Sequence, residues 1–403
     1  MSKGLISFIG NNFYGIGGAE TSMFAVAEEF VRLGYEVEMV SLKQTSERVF
    51  PQGIKPLRFY DNRFLSRGDR IKRDLFKSRH WFYYMKDSNI LGKTCIPYVG
   101  IGLKRYLKKT KAQTVISCVD EVHPFLYKSK NKHIKNKFYY FHGFGSYYLK
   151  LDEFYKKEMS KITPENALFV TEKIYEESKP YHKDNFLKHE IVGNTIAREN
   201  ILERSQIGDS LQDTKTKTDL SKTVLQGVVL TRISDDRWDG LMNLLKFGEF
   251  IRSEQQRKEE LQIPYQKIII KVFGEANRTD DFIREIDERD LQDVIKYCGR
   301  TDSSVAEIRN SDFVLDPAVE QSFGMVYLEA VFNGKMVFAT KNSGSLEVLK
   351  DIPESFFNSS SDLYEKIMNL SKITREQLQK NYDLLYSRFS PEIVTEKLLK
   401  IME

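Results

Sequence analysis

The sequence predicts an α/β protein made of two doubly wound, Rossmann-like domains, and three observations carry that prediction. Short apolar runs recur along the chain, each ending in a small or polar turn: Gly4–Ile9, Gln113–Cys118, Lys137–Phe141, Ala167–Thr171 and Glu190–Asn194, then Val224–Leu230, Lys267–Phe273, Val294–Tyr297, Asp312–Leu315 and Lys335–Thr340. Such runs read as strands buried on both faces, and several are followed by apolar residues at helical spacing, the alternation that builds parallel sheets. A polar stretch with little periodicity, Ala197–Thr223, divides the two series. The length of 403 residues suits two domains of ordinary size. The expected boundaries are 1–200 for the first domain, with an unusual insertion near 60–111, 201–223 for a linker, 224–385 for the second domain and 386–403 for a terminal helix.

Composition narrows the class. A hydrophobic content of 41% with 30% charged residues is that of a globular protein, and no run of about 18 apolar residues is present. The N-terminus lacks a basic-then-apolar leader, so the expected location is cytoplasmic. Cys95, Cys118 and Cys298 stand far apart without CxxC or CxxH partners, which predicts reduced core thiols and no metal site. A formal net charge of +5 is mild, and no nucleic-acid partner is expected, because such a binder shows a basic stripe together with a motif.

In the first domain, the strand Gly4–Ile9 leads into a loop carrying Gly15, Gly17 and Gly18, then a helix beginning near Ala19 with Met23, Phe24, Val26, Ala27, Phe30 and Val31 on its buried side. Glycines at this place let backbone approach a ligand closely, although GIGGAE is an incomplete dinucleotide fingerprint and no acidic partner follows the next strand, Glu36–Leu42. The strand Lys137–Phe141 ends at His142 and Gly143, making His142 the best polar candidate of this half. Both strand ends, here and after Cys118, open on one edge of a parallel sheet, where ligands bind.

The second domain repeats the pattern. Val224–Leu230 runs into TRISDDRWDG, which holds Arg232 and Arg237, and the next two strands end at Gly274 and at Gly299. The organising stretch is Asp316–Leu349. There Pro317 follows a strand, a turn of Ser322, Phe323 and Gly324 opens a helix containing Met325 and Glu329, and Gly334 stops it. The strand Lys335–Thr340 then leads to a second polar turn at Asn342, Ser343 and Gly344. Backbone N–H groups in such turns face whatever lies above the strand ends, a natural site for an anion or a sugar.

This stretch resembles the donor-sugar motif of GT-B glycosyltransferases, specifically the retaining family 4, or glycosyltransferase group 1 type, in which P-S-x-x-E-x-F-G-x-x-x-x-E-A places Pro317, Phe323, Gly324, Glu329 and Ala330. The GGAE loop at Gly17 and Gly18, the spacing of Arg232 and Arg237 and the V-G-N-T-I run around Asn194 resemble further family elements. The resemblance implies a GT-B fold, two Rossmann-like domains facing across a cleft, with the terminal helix crossing back to the first domain. It implies a nucleoside diphosphate sugar donor, uridine-linked, and transfer with retention of configuration to a glycan, lipid-linked or protein acceptor, with no cofactor or metal. Residue by residue, His142, Arg232, Arg237 and Gln321 are the implied catalytic positions. Gly17, Gly18, Gly274, Gly299, Glu320, Ser322, Phe323, Gly324, Met325 and Glu329 are the implied nucleotide-sugar contacts. The chain departs from the pattern at the first motif glutamate, which falls on Gln321 rather than Glu320, and at Arg237 and Trp238, which stand for a lysine and a glycine. Two alternatives share the architecture: a sugar-nucleotide epimerase and a non-catalytic partner of an active transferase.

Residues 63–86 do not belong to this resemblance. Arg63, Arg67, Arg70, Lys72, Arg73, Lys77, Arg79 and Lys86 stand against Asp69 and Asp74, interleaved with Phe64, Phe76, Trp81, Phe82, Tyr83 and Tyr84. Cations and rings so mixed suit contact with an anionic membrane surface. The protein is expected to pellet with anionic liposomes and to be released by salt, each cation near the surface contributing on the order of 1 kcal/mol. Replacing Arg70, Lys72, Arg73 and Lys77 together by glutamate should abolish pelleting, and unchanged pelleting would refute the membrane reading.

Overall fold

The structure is a computed structural model that describes residues 2–10, 13, 17–42, 49–58, 103–143, 159–208 and 224–402. The chain forms two compact units, one of residues 1–197 with 391–403 and the other of residues 198–390. The divisions thus fall at 197/198 and 390/391, against the 200/201 and 385/386 read from the sequence. Residues 201–208, expected as linker, are bonded into the second unit: the Leu202 N–H donates to the Phe332 carbonyl at 3.1 Å, and the Tyr382 hydroxyl donates to the Leu202 carbonyl at 3.1 Å. The basic aromatic segment 63–86 and Cys95 lie outside the described residues.

The first unit holds a parallel seven-stranded sheet of β1 (Leu5–Gly10), β2 (Glu36–Ser41), β3 (Ile54–Arg58), β4 (Thr114–Ser117), β5 (Asn136–Phe141), β6 (Ala167–Phe169) and β7 (His189–Ile191), in the order β3-β2-β1-β4-β5-β6-β7. The apolar runs are strands because both faces of β1, β4 and β5 are covered, as Phe8, Ile9, Val115, Ile116 and Phe138 show by their burial. Strand β3 carries no such signal in the sequence. Its residues, IKPLR, lack the apolar signature, and its Pro56 has no N–H to give a ladder, which an edge strand tolerates.

The helix Gly18–Arg32 buries Met23, Phe24, Val26, Ala27 and Phe30 and packs against the helix Pro391–Met402 of the same unit. Between β2 and the helix at 103–109, a buried carboxylate sets the register. Tyr106 donates to Glu38 Oε1 and bonds the Ser7 hydroxyl, while Thr110 reaches the same oxygen at 3.2 Å. Burial and the Glu38 charge push the Tyr106 phenol far above its ordinary pKa, so it stays a donor.

The second unit holds a parallel five-stranded sheet of β8 (Val224–Leu230), β9 (Lys267–Phe273), β10 (Ile295–Tyr297), β11 (Phe313–Asp316) and β12 (Met336–Ala339), ordered β10-β9-β8-β11-β12. Strand order reverses between β8 and β11, so the loops leaving these two strands part at a topological switch point. In the first unit the corresponding point lies between β1 and β4. Cys118 is buried as expected; Cys298 is exposed, because it lies past the end of the short edge strand β10. Among the described residues no helix is long and apolar enough to cross a membrane.

Three histidines lie around the end of β5, His123 and His182 buried and His142 half-buried. His123 meets the Phe141 ring edge-on at 4.6 Å, His182 meets it at 5.4 Å, and His142 lies against Tyr140 at 4.2 Å. Desolvation lowers their pKa values to about 3, about 3 and about 4 respectively, so all three are neutral near pH 7. An unfolded histidine titrates near ~6.5 and takes up a proton that the folded one refuses. Stability is therefore fully present above that value and falls as pH drops toward 4, by up to about 1.4 kcal/mol per pH unit for each histidine. A melting series from pH 8 to pH 5 should show this slope, and His123→Phe should flatten it. A wild-type melting temperature indifferent to pH over that range would contradict the account.

Candidate functional site

The site is built at the C-terminal edge of the second sheet, where the loops after β8 and β11 meet at the switch point. Gly240, in the first turn of the helix Trp238–Glu260, lies under the β11 loop: a Cβ there would come within 2.8 Å of the Pro317 carbonyl oxygen and 2.9 Å of Ala318 Cα. Only glycine lets the two loops approach so closely. The β12 loop closes the group from the other side, the Gly344 N–H donating to the Gln321 carbonyl at 2.8 Å.

Arg232 and Arg237 project from the β8 loop. Arg232 is largely exposed and pairs with Asp236 at 3.0 Å; Arg237 is mostly covered, lies 3.7 Å from the same carboxylate and donates to the Glu320 backbone carbonyl. Asp236 is itself held by the Ser234 hydroxyl at 2.5 Å. It keeps a pKa below the ordinary carboxylate value despite partial burial, since Ser234 and both arginines favour its charge. Trp238, standing where the resembled loop has glycine, carries the Arg278 guanidinium 3.9 Å above its ring, and Arg278 also pairs with Asp235 at 3.2 Å. The turn after β9 thereby fixes the arginine loop.

Gly274 belongs to the same turn. It has φ +141°, and a Cβ there would fall 1.7 Å from the Thr231 carbonyl oxygen. Its N–H donates to the Gly299 carbonyl at 2.8 Å. The two glycines thus join the ends of β8, β9 and β10, and Gly299 has open space where a Cβ would stand.

The motif loop places its residues unequally. The Glu320 side chain is exposed and its carbonyl is taken by Arg237; Ser322 and Met325 are half-buried. Phe323 is buried at 1% exposure with its ring edge-on to Phe389 at 5.3 Å, so its side chain belongs to the core. Gly324 adopts φ +84°, and a Cβ would strike the Tyr327 ring, which explains the glycine there. Glu329 lies further along the helix Met325–Val331. Desolvation raises its pKa, and the Ser304 hydroxyl, bonding the carboxylate, opposes that shift.

Sequence reasoning missed the centre of this arrangement. Asp316, the last residue of β11, is 4% exposed; its Oδ1 accepts the Ala318 N–H at 3.1 Å, and its Oδ2 accepts the Gln321 amide at 3.1 Å and the Tyr327 hydroxyl. An aspartate ending an apolar strand just before proline was the available signal. Gln321 consequently enters the site already bonded on its amide side.

His142, Gly17 and Gly18 belong to the other unit. Gly17 caps the helix Gly18–Arg32 in extended conformation at the exit of β1. Neither ring nitrogen of His142 has a well-formed partner among the described residues, and the nearby Asn194 only partly offsets the burial that keeps the ring neutral. Among the described residues no group of three histidine, cysteine or acidic side chains is arranged to hold a metal ion.

Two parallel sheets, each wound outward from a central switch point, with a terminal helix returned to the first unit, define the GT-B class. Residues 256–382, within the second unit, match the family model of glycosyl transferases group 1. Over its length the chain is similar to Staphylococcus aureus TarM, solved with fondaparinux, alpha-GlcNAc-glycerol and UDP (TM-score 0.68, 12% identity, 99% of each chain covered). It is also similar to sucrose-phosphate synthase from Thermosynechococcus elongatus (0.67, 13%, 99% of this chain and 98% of that one) and to Anabaena HepE solved with UDP and glucose (0.62, 12%, 99% of each). At these identities the likeness is one of fold. Compared by sequence, no curated protein matches the chain.

Proposed function

We propose that this protein is a glycosyltransferase that moves a sugar from a uridine diphosphate sugar to a saccharide, lipid-linked or protein acceptor with retention of configuration. The observation that carries the reading is the meeting of the arginine loop with the Gln321–Met325 loop at the switch point of a group 1 transferase domain. The UDP bound by TarM and HepE, proteins of the same fold, supports the choice of nucleotide.

In this reading Arg232, exposed and tethered at one side only, takes the diphosphate, and Arg237, fixed by Asp236 and the Glu320 carbonyl, adds charge behind it. Cations held before the reaction stabilise the negative charge that grows on the diphosphate as the sugar leaves, and need no reorganisation at that moment. These arginines stand in the role that a metal ion plays elsewhere, so turnover is expected to be insensitive to chelators. Backbone N–H groups of Phe323 to Met325 complete the phosphate contacts. Glu329 accepts the ribose hydroxyls, Gly274 and Gly299 leave backbone free beside the base, and Gln321 bonds the transferred sugar. His142 is neutral at working pH, so any bond it gives a ligand is that of an uncharged imidazole.

Calorimetry with UDP tests the reading. Glu329→Ala should weaken binding by roughly 1.5–3 kcal/mol, the loss of a charge-assisted hydrogen bond, and Arg232→Ala should lower turnover of the sugar nucleotide as well as UDP affinity. A wild-type protein that binds no UDP, with Glu329→Ala indistinguishable from it, would overturn the proposal in favour of a non-catalytic partner protein.

A further inference from the structure

The orientation of the Gln321 amide can be worked out from the backbone. The helix Ser343–Val348 begins at Asn342, whose Oδ1 accepts the Ser345 N–H at 2.9 Å. A backbone N–H can only donate, so this contact fixes which end of the Asn342 amide is oxygen. The Nδ2 group is then a donor, and it reaches the Ala318 carbonyl at 2.9 Å and the Tyr327 hydroxyl at 3.4 Å. Tyr327, receiving a proton from that side, must give its own to Asp316 Oδ2. Asp316 Oδ1 is occupied by a second obligate donor, the Ala318 N–H. Every contact on Asp316 therefore asks it to accept, which an ionised carboxylate does and a protonated one does only in part. Gln321 must in turn present its amide nitrogen to Oδ2, 3.1 Å away. Its Oε1 is left pointing elsewhere, and among the described residues it has no hydrogen-bond partner.

We infer that Asn342, Tyr327 and Asp316 form a relay of fixed hydrogen-bond polarity that holds the Gln321 amide nitrogen inward and its carbonyl oxygen away from Asp316, so that Oε1 is offered as an acceptor to a hydroxyl of the transferred sugar. The inference rests on the transferase reading above and adds to it three positioning residues and a rule for the donor. A glutamate at position 321 would set a second carboxylate against Asp316 Oδ2, where two like charges at hydrogen-bond distance cannot both persist. Asp316 and Gln321 thus make a pair in which the negative charge sits one residue deeper than the loop surface, and the surface residue is neutral. A sugar with a hydroxyl within reach of Oε1 is the better substrate, and a deoxyfluoro analogue, which has no hydroxyl proton to give that oxygen, is the poorer one.

The logic gives a signed test. In Asp316→Asn the Ala318 N–H keeps the side-chain oxygen, the new amide nitrogen faces Gln321, and Gln321 must turn its oxygen inward and its NH2 outward. The kcat for a UDP-sugar should fall on the order of tenfold, the scale of one hydrogen bond reversed, while UDP affinity stays unchanged. In Asp316→Asn combined with Gln321→Glu, one carboxylate oxygen of the new glutamate accepts from the amide introduced at position 316 and the other again faces outward. The kcat should recover most of that loss, the remainder reflecting the Tyr327 hydroxyl, which donated to Asp316 Oδ2 and now faces an NH2 group. Gln321→Glu alone should lose turnover at neutral pH and regain part of it on acidification, as the facing carboxylates come to share a proton; this arm also serves if Asp316→Asn does not fold. In the free wild-type protein the Gln321 side-chain amide protons should exchange slowly with solvent, and exchange fast in Asp316→Asn. No turnover of any UDP-sugar by a wild-type protein would overturn the transferase reading and the sugar-directed role with it. A working wild type with an unimpaired Asp316→Asn, or with a loss that the double variant does not restore, would overturn the relay while leaving the transferase reading standing.

Discussion

The buried carboxylate of Asp316 is the constraint on which the loops after β11 and β12 depend. A charge at 4% exposure survives only with donors around it, and the fold recruits these from three separate places: the Ala318 backbone, the Gln321 amide and the Tyr327 hydroxyl. Burial pushes the Asp316 pKa up, and those three bonds together with the Arg237 charge oppose the shift. Because each donor belongs to a different part of the β11 loop and its helix, satisfying one carboxylate fixes the conformation of the whole turn. The β12 loop is tied to the same point through Asn342, which reaches both the Ala318 carbonyl and the Tyr327 hydroxyl.

Much of the fold is legible in the sequence, and the reasons separate what was visible from what was not. Internal strands such as Val224–Leu230 and Lys267–Phe273 are mostly apolar, with only Gln226, Lys267 and Lys271 polar, so they stand out in a charged chain. Strand β3 did not, because an edge strand needs neither an apolar run nor every backbone N–H. Residues 201–208 read as linker because their partners in the second unit, Phe332, Tyr382 and Asp383, stand far along the chain, and local composition does not encode them. Cys298 was misplaced into the core since burial at the end of a three-residue strand depends on what covers it, not on its neighbours in sequence.

The site divides in the same way. The loops at 231–240 and 317–324 were marked by residue types, and the structure sets them against each other through Gly240 and the bond from Arg237 to the Glu320 carbonyl. The role of Phe323 as core, and of Asp316 as the centre of the polar group, was hidden. The first depends on the Phe389 ring from a helix far along the chain, and the second on partners five and eleven residues ahead, spacings that no periodic pattern picks out. Residue types marked the loops; partners distant in sequence decided what each residue in them does.

The stack of Arg278 on Trp238 has a practical meaning of its own. The chain has two tryptophans, and the other, Trp81, lies in the basic aromatic segment. An indole clamped beneath a guanidinium, at the first residue of the helix that follows the arginine loop, sits in an electrostatic field set by that loop's charges. Any anion drawn to Arg232 alters that field. The protein therefore carries a native optical reporter within a few residues of Arg232 and Arg237, readable by emission wavelength in the unlabelled chain once Trp81 is replaced.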